Sequence, residues 1–153
     1  VARSFVFTGF LQFSPAWTEP LDLVNVVDSA PLSITSQLSN GTAAGQADQY
    51  HRDVVTVAAS TTESLDLTDL TTNVYGGSGT LSFSSVRGFL LRNTSASGSV
   101  TVTLGSGIGS FPLQAGGLAY HVLPAGINLA DIDLTNGGGS AVDIEIHLMG
   151  VAT

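Results

Sequence analysis

Hydrophobic and polar positions alternate along much of this chain. In "VDIEIHL" (142–148), Val142, Ile144, Ile146 and Leu148 take every second place, with Asp143, Glu145 and His147 between them. A β-strand sends successive side chains to opposite faces, so the pattern predicts a half-buried antiparallel strand. "ADIDLT" repeats it, with Ile132 and Leu134 inward and Asp131 and Asp133 outward, and "NGGGS" (136–140) then predicts a hairpin turn joining the two strands. Residues 90–107, "LLRNTSASGSVTVTLGSG", read as another hairpin, in which Val100 and Val102 alternate with Thr101 and Thr103. "VRGFLLRNT" is more apolar, as a strand covered on both faces would be, and "VVTVAA" and "FPLQAGGLAYHVLP" add further short strands.

Glycine-rich breaks punctuate these runs at near-regular spacing, and no stretch keeps a sustained helical period. The prediction is an all-β fold, an antiparallel β-sandwich or jelly-roll-like barrel. Helix is confined to a turn or so near "LDLTDLTT" (65–72), where Asp66 or Thr68 could cap it. The beginning of the chain differs. Residues 1–48 form an aromatic-rich segment, expected to be irregular, with Pro15 and Pro20 and an exposed loop at "SNGTAAGQAD" (39–48). The β-sandwich domain is placed at 49–153. Aromatic side chains dominate interface energetics when they enter desolvated pockets, so Phe5, Phe7, Phe10, Phe13 and Trp17 are the candidate partner-binding residues of an attachment arm. A competing reading makes Phe5, Phe7 and Phe13 part of a first core strand.

Composition narrows the function. The chain has 153 residues, enough for one domain with its own core, and its 43% hydrophobic content agrees. Its only basic side chains are Arg3, Arg52, Arg87 and Arg92, and the net charge is −8. Nucleic acid and anionic membrane surfaces would repel such a surface. Without lysine there is no Schiff-base chemistry and no P-loop; without cysteine there is no disulfide, thiolate nucleophile or thiolate metal site. No run reaches a membrane-spanning length. The start, "VARSFVFTGFLQFSPAW", is interrupted by Thr8, Gly9, Gln12 and Ser14, so no signal peptide is expected.

Candidate chemistry is sparse. Asp143, Glu145 and His147 share a strand face, and Asp131 and Asp133 could approach from a neighbouring strand. Residues along one face stand about 7 Å apart, too far to converge on a cation without added loops, so a solvated acidic face is expected and no metal. "YHRD" (50–53) gathers His51, Arg52 and Asp53, but no G-x-S-x-G elbow accompanies it. His51, His121 and His147 are therefore read as structural. Neither "GGSG" nor "GSGIG" opens a helix, so phosphate binding is unsupported. Asn40 and Asn93 begin glycosylation sequons that serine and threonine abundance explains. Trp17, Tyr50, Tyr75 and Tyr120 could stack on a sugar, although packing is the commoner fate of such residues. No catalytic residue and no cofactor are assigned. Neutral serine, threonine and glycine surfaces lose little side-chain entropy on burial, which suits contact with protein.

"VTVAASTTESLDLTDL", "LSFSSVRGFLLRNTSASGSVTVTLGS", "FPLQAGG" and "IDLTNGGGSAVDIEIHLMG" together resemble the small β-rich virion proteins of tailed phages, nearest the capsid decoration (cement) proteins. The shared pattern is an R-x-x-x-x-R-N-T strand, a Val/Thr hairpin, a P-L-x-A-G-G turn and a closing strand ending in glycine, over residues 54–150. The resemblance implies a non-enzymatic structural protein on the capsid surface, assembled in the host cytoplasm. It also implies a homotrimer bound to the major capsid protein or another virion protein. A phage fibre or tail attachment module is the sister possibility. A carbohydrate-binding β-sandwich module is the alternative from another class.

Overall fold

The structure is a computed structural model that describes the chain apart from residues 1–5, 15, 21–24, 30, 73–78, 106 and 153; for residues 11, 13, 16–20, 25–29 and 72 it describes the backbone alone. The protein is all-β. Two four-stranded antiparallel sheets face each other. Sheet I has the order β13 (Leu118–Ile127), β10 (Phe83–Asn93), β15 (Val142–Ala152), β6 (Gln49–Val57). Sheet II has the order β12 (Gly109–Gln114), β11 (Ser99–Leu104), β14 (Asp131–Thr135), β7 (Thr62–Asp66). Taken along the chain from β6, these strands fall in sheets I, II, I, II, II, I, II and I. That order is the eight-stranded jelly roll. A short ribbon of β8 (Leu70–Thr72) and β9 (Gly79–Leu81) lies between β7 and β10 in the chain.

The alternation places the core. Ile144, Ile146 and Leu148 of β15 and Ile132 and Leu134 of β14 are fully buried between the sheets, as their spacing predicts. Their partners across the core include Phe89, Leu91, Val100 and Val102. The intervening positions face outward. On sheet II these are Thr101, Thr103, Thr135 and Asp133, with the Thr62 and Thr135 hydroxyls 2.9 Å apart.

The two expected hairpins are instead arches between sheets. β14 pairs with β11 and β7, whereas β15 pairs with β10 and β6, so 136–141 carries the chain across the core. Likewise β10 lies in sheet I and β11 in sheet II, and 94–98 crosses between them. An asparagine holds each arch. Asn136 is buried; its Nδ2 donates to the carbonyls of Val57, Ala58 and Ser140 at 2.8–3.1 Å, and its Oδ1 accepts from the Gly138 N–H. Asn93 repeats the arrangement, donating to the carbonyls of Gly98 and Leu113 and accepting from the Ser95 N–H. A tight hairpin satisfies its backbone groups across the strand pair; an arch cannot, so buried side-chain amides do so.

Two smaller expectations also change. Residues 65–72 form no helical turn. Asp66 Oδ1 accepts from both the N–H and the hydroxyl of Thr68, closing a local turn that competes with helix. The segment expected to be irregular holds regular strands: β1 (Phe7–Phe13), β2 (Ala16–Pro20), β3 (Asn25–Ser29), β4 (Leu32–Asn40) and β5 (Gln46–Ala47). Phe7 faces Leu38, Phe13 faces Leu32, Ala16 faces Ser29 and Pro20 faces Asn25. One register runs through both ribbons, so β1–β2 and β3–β4 are the two legs of a single hairpin. At about 3.4 Å per residue the β1–β4 ribbon runs roughly 20 Å and the β2–β3 ribbon roughly 14 Å. Pro20 ends β2 opposite Asn25, and Pro31 falls between β3 and β4.

Candidate functional site

The hairpin is anchored at its base. Parallel pairing of β4 with β5 and the bonds Asp48 N–H to Gly150 O and Ala152 N–H to Asp48 Oδ1 stitch it to the end of β15. Leu38 and Ala47 are fully buried against Met149, with Phe7, Tyr50 and Val122 packed around them. These contacts lie on the outer face of sheet I, opposite the main core. Buried Arg87 adds a clamp: its guanidinium donates to the carbonyls of Pro124 (2.9 Å) and Thr42 (3.3 Å), tying the loop after β4 to β13. Gly88 and Gly9 permit the close approach. A Cβ at Gly88 would press on the His121 carbonyl and Met149, and one at Gly9 would collide with the Tyr120 hydroxyl.

From Leu38 over β10 the hairpin passes Phe7 and Gly9 against Tyr120 on the edge strand β13. Beyond that edge, β2 and β3 meet essentially only each other among the described residues. The overhanging part is an arm. Leu38, Ile34 and Leu32 occupy alternate positions on one face; Leu38 is buried, whereas Ile34 and Leu32 are 45% and 52% exposed. Phe10 lies on the other face and is 62% exposed.

Past the anchored hairpin, the outer face of sheet I is open and carries a polar cluster. Register sets Leu118, Arg92, Glu145 and Val54 in one row across the four strands, and Tyr120, Leu90, His147 and Arg52 in the next. Glu145 accepts from Arg52 at 3.1 Å, stands 3.9 Å from Arg92, and bonds His147 Nε2 at 3.1 Å. The His147 bond, helped by Arg52 and opposed by partial desolvation, holds the Glu145 carboxyl below its ordinary value. An ionised carboxylate only accepts, so Nε2 carries the proton and Nδ1 accepts from the Tyr50 hydroxyl at 2.6 Å. Two guanidiniums share the Glu145 carboxylate, and Asp143, the next outward position on β15, adds a second carboxylate to the same face. Val54 and Leu118, over half exposed, flank the cluster at the two sheet edges.

The structure places the other candidates as follows. Phe7 is half-buried on its own domain and Phe10 is exposed on the arm; Phe5 lies outside the described residues, and so do the Phe13 and Trp17 side chains. Asp131 and Asp133 lie in sheet II, away from Asp143, Glu145 and His147, and Asp143 accepts from Thr56. No group of three His, Asp or Glu side chains gathers as a metal site among the described residues. His51 is buried in the core row beside Leu148, with Nδ1 lacking a hydrogen-bond partner, and burial pushes its imidazole below the ordinary value against a smaller opposing effect of Asp53. His121 is exposed and its ring packs 5.2 Å from that of Phe89. Of the aromatics weighed as sugar platforms, Tyr50 is bonded to His147, Tyr120 lies beneath the arm, and Tyr75 is outside the described residues. The Asn93 amide is consumed by its arch, closing that sequon in the folded chain. Sequence reasoning missed the Tyr50–His147–Glu145–Arg52 cluster: alternation put Glu145 and His147 on one strand face but read no strand at 50–53, and the β6–β15 register brings the four together. Compared with protein-family models, curated proteins and solved structures, the chain matches none.

Proposed function

We propose that this chain is a non-enzymatic structural protein of a virion, a capsid decoration protein that assembles with copies of itself, as a trimer, and binds the shell through its hairpin arm. The observation that carries the reading is the arm: a long, regular, anchored hairpin with large apolar side chains in water on both faces. Full burial of one such side chain is worth about 1.5–3 kcal/mol, which an isolated copy forgoes at Phe10, Leu32 and Ile34. A paired, pre-formed ribbon also loses little conformational freedom on docking. The sequence resemblance points the same way.

The test shortens the arm without touching its base. Phe10 and Thr35 are paired, so replacing Leu11–Ile34 by Asn-Gly closes a two-residue hairpin there. The expected product keeps a β circular dichroism spectrum and cooperative melting but no longer sediments with purified shells lacking the protein. Undiminished sedimentation would remove the reading.

A further inference from the structure

We infer that the two faces of the arm have different occupants, and that the face bearing Ile34 and Leu32 lies on the open outer face of sheet I of a second copy, entering over its β6 edge. This rests on the reading of the chain as an assembling structural protein and names the surface involved. Three observations support it. The first is continuity: Leu38, on the same face of the same strand, is already buried on the outer face of sheet I in its own copy, beside Met149 and Val122. The exposed half of the apolar strip therefore continues a contact whose chemistry this sheet face already accepts. The second is direction. The hairpin leaves over the β13 edge, and β6 is the opposite edge of the same sheet, so a copy placed alongside presents Val54 and Arg52 where the arm arrives. The third is charge. Residues 7–40 contain Glu19, Asp22 and Asp28 and no cation, whereas the two receiving rows hold Arg52 and Arg92, each over half exposed, against the carboxylate of Glu145, with Asp143 one row further along β15.

Such a contact is head-to-tail, since one copy's arm meets the next copy's sheet. It closes only as a ring. The Phe10 face is left free for the shell.

The cysteine-free chain permits a direct test. Full-length Ile34→Cys and Val54→Cys proteins, mixed and mildly oxidised, should give a disulfide-linked heterodimer. Its yield should exceed at least tenfold that of Ile34→Cys mixed with Thr101→Cys, which lies on the exposed face of sheet II. Because each chain has one thiol, no intramolecular bond can imitate the result. Comparable yields, or no heterodimer, would overturn the inference. Light scattering supplies a second measurement: Ile34→Ser should lower the assembly mass at micromolar concentration while Phe10→Ser leaves it unchanged, and the reverse result would also overturn it. Shell sedimentation is read separately. Proteins that cross-link as stated but never join a shell remove the virion reading alone; proteins that join shells without the cross-link remove this interface alone.

Discussion

At the scale of single residues, the polar groups inside the sandwich carry the clearest consequences. Asn136 donates to the carbonyls of Val57, Ala58 and Ser140, and its own amide is buried. Asn136→Ala should destabilise the fold by about 2–3 kcal/mol, because each stranded buried polar group costs on the order of 1–3 kcal/mol. Asn136→Asp should be worse, since it turns a carboxylate toward those carbonyls; urea denaturation would order the three proteins. His51 makes stability depend on pH. Its folded value lies below the ordinary 6.5, so the unfolded chain takes up the proton first and stability falls as pH drops below about 6.5. Glu145, also held low, adds its loss only below about 4.5. Melting curves from pH 7.5 to 5 should decline for the native chain and flatten for His51→Leu. A native profile already flat over that range would contradict the burial of a neutral imidazole.

At the scale of elements, alternation gave the faces of strands but not their partners. Val142, Ile144, Ile146 and Leu148 had to face a core, and they do. Ile144→Asp should therefore cost roughly 3–5 kcal/mol, comparable to leaving a buried charge unpaired, and a melting temperature within a degree or so of the native value would refute the facing. Whether β14 turns back onto β15 or arches across the core leaves the same two-residue period in each strand. Asn93 and Asn136 at the strand ends were the physical clue, because a tight turn has no use for a buried amide with that many partners. The arm was hidden for another reason: Pro15 and Pro20 marked the segment as irregular, and only the pairings show regular strands there, with Pro20 opposite Asn25 at the end of β2. Of the polar cluster on sheet I only Glu145 and His147 were legible, as outward positions of one strand; Tyr50 and Arg52 precede the apolar run that predicted β6. Its geometry needed the β6–β15 pairing.

At the scale of the molecule, the jelly roll supplies a rigid body with one covered and one partly open sheet-I flank, and the arm supplies reach. A protein whose stability resides in the sandwich should tolerate loss of the arm. Shortening the hairpin at Phe10 should leave the melting temperature within a few degrees, while deleting 1–48 should destabilise the fold, because Leu38 and Ala47 leave Met149 uncovered. Truncating buried side chains of that size costs about 2–5 kcal/mol each, so scanning calorimetry should separate the two shortened proteins.

The grip on Asn136 also bears on how long such a molecule lasts. Asparagine followed by glycine ages by attack of the next backbone nitrogen on the side-chain carbonyl carbon, which expels ammonia and leaves an isomerised backbone. The chain has this pair at Asn40–Gly41 and at Asn136–Gly137. Four hydrogen bonds pin the Asn136 amide and keep its carbon from swinging onto the Gly137 nitrogen. Peptide mapping after prolonged warm storage should find isoaspartate at residue 136 far more slowly in the folded chain than in the chain unfolded by urea, so the arch that keeps the two sheets apart also shelters the backbone from chemical wear.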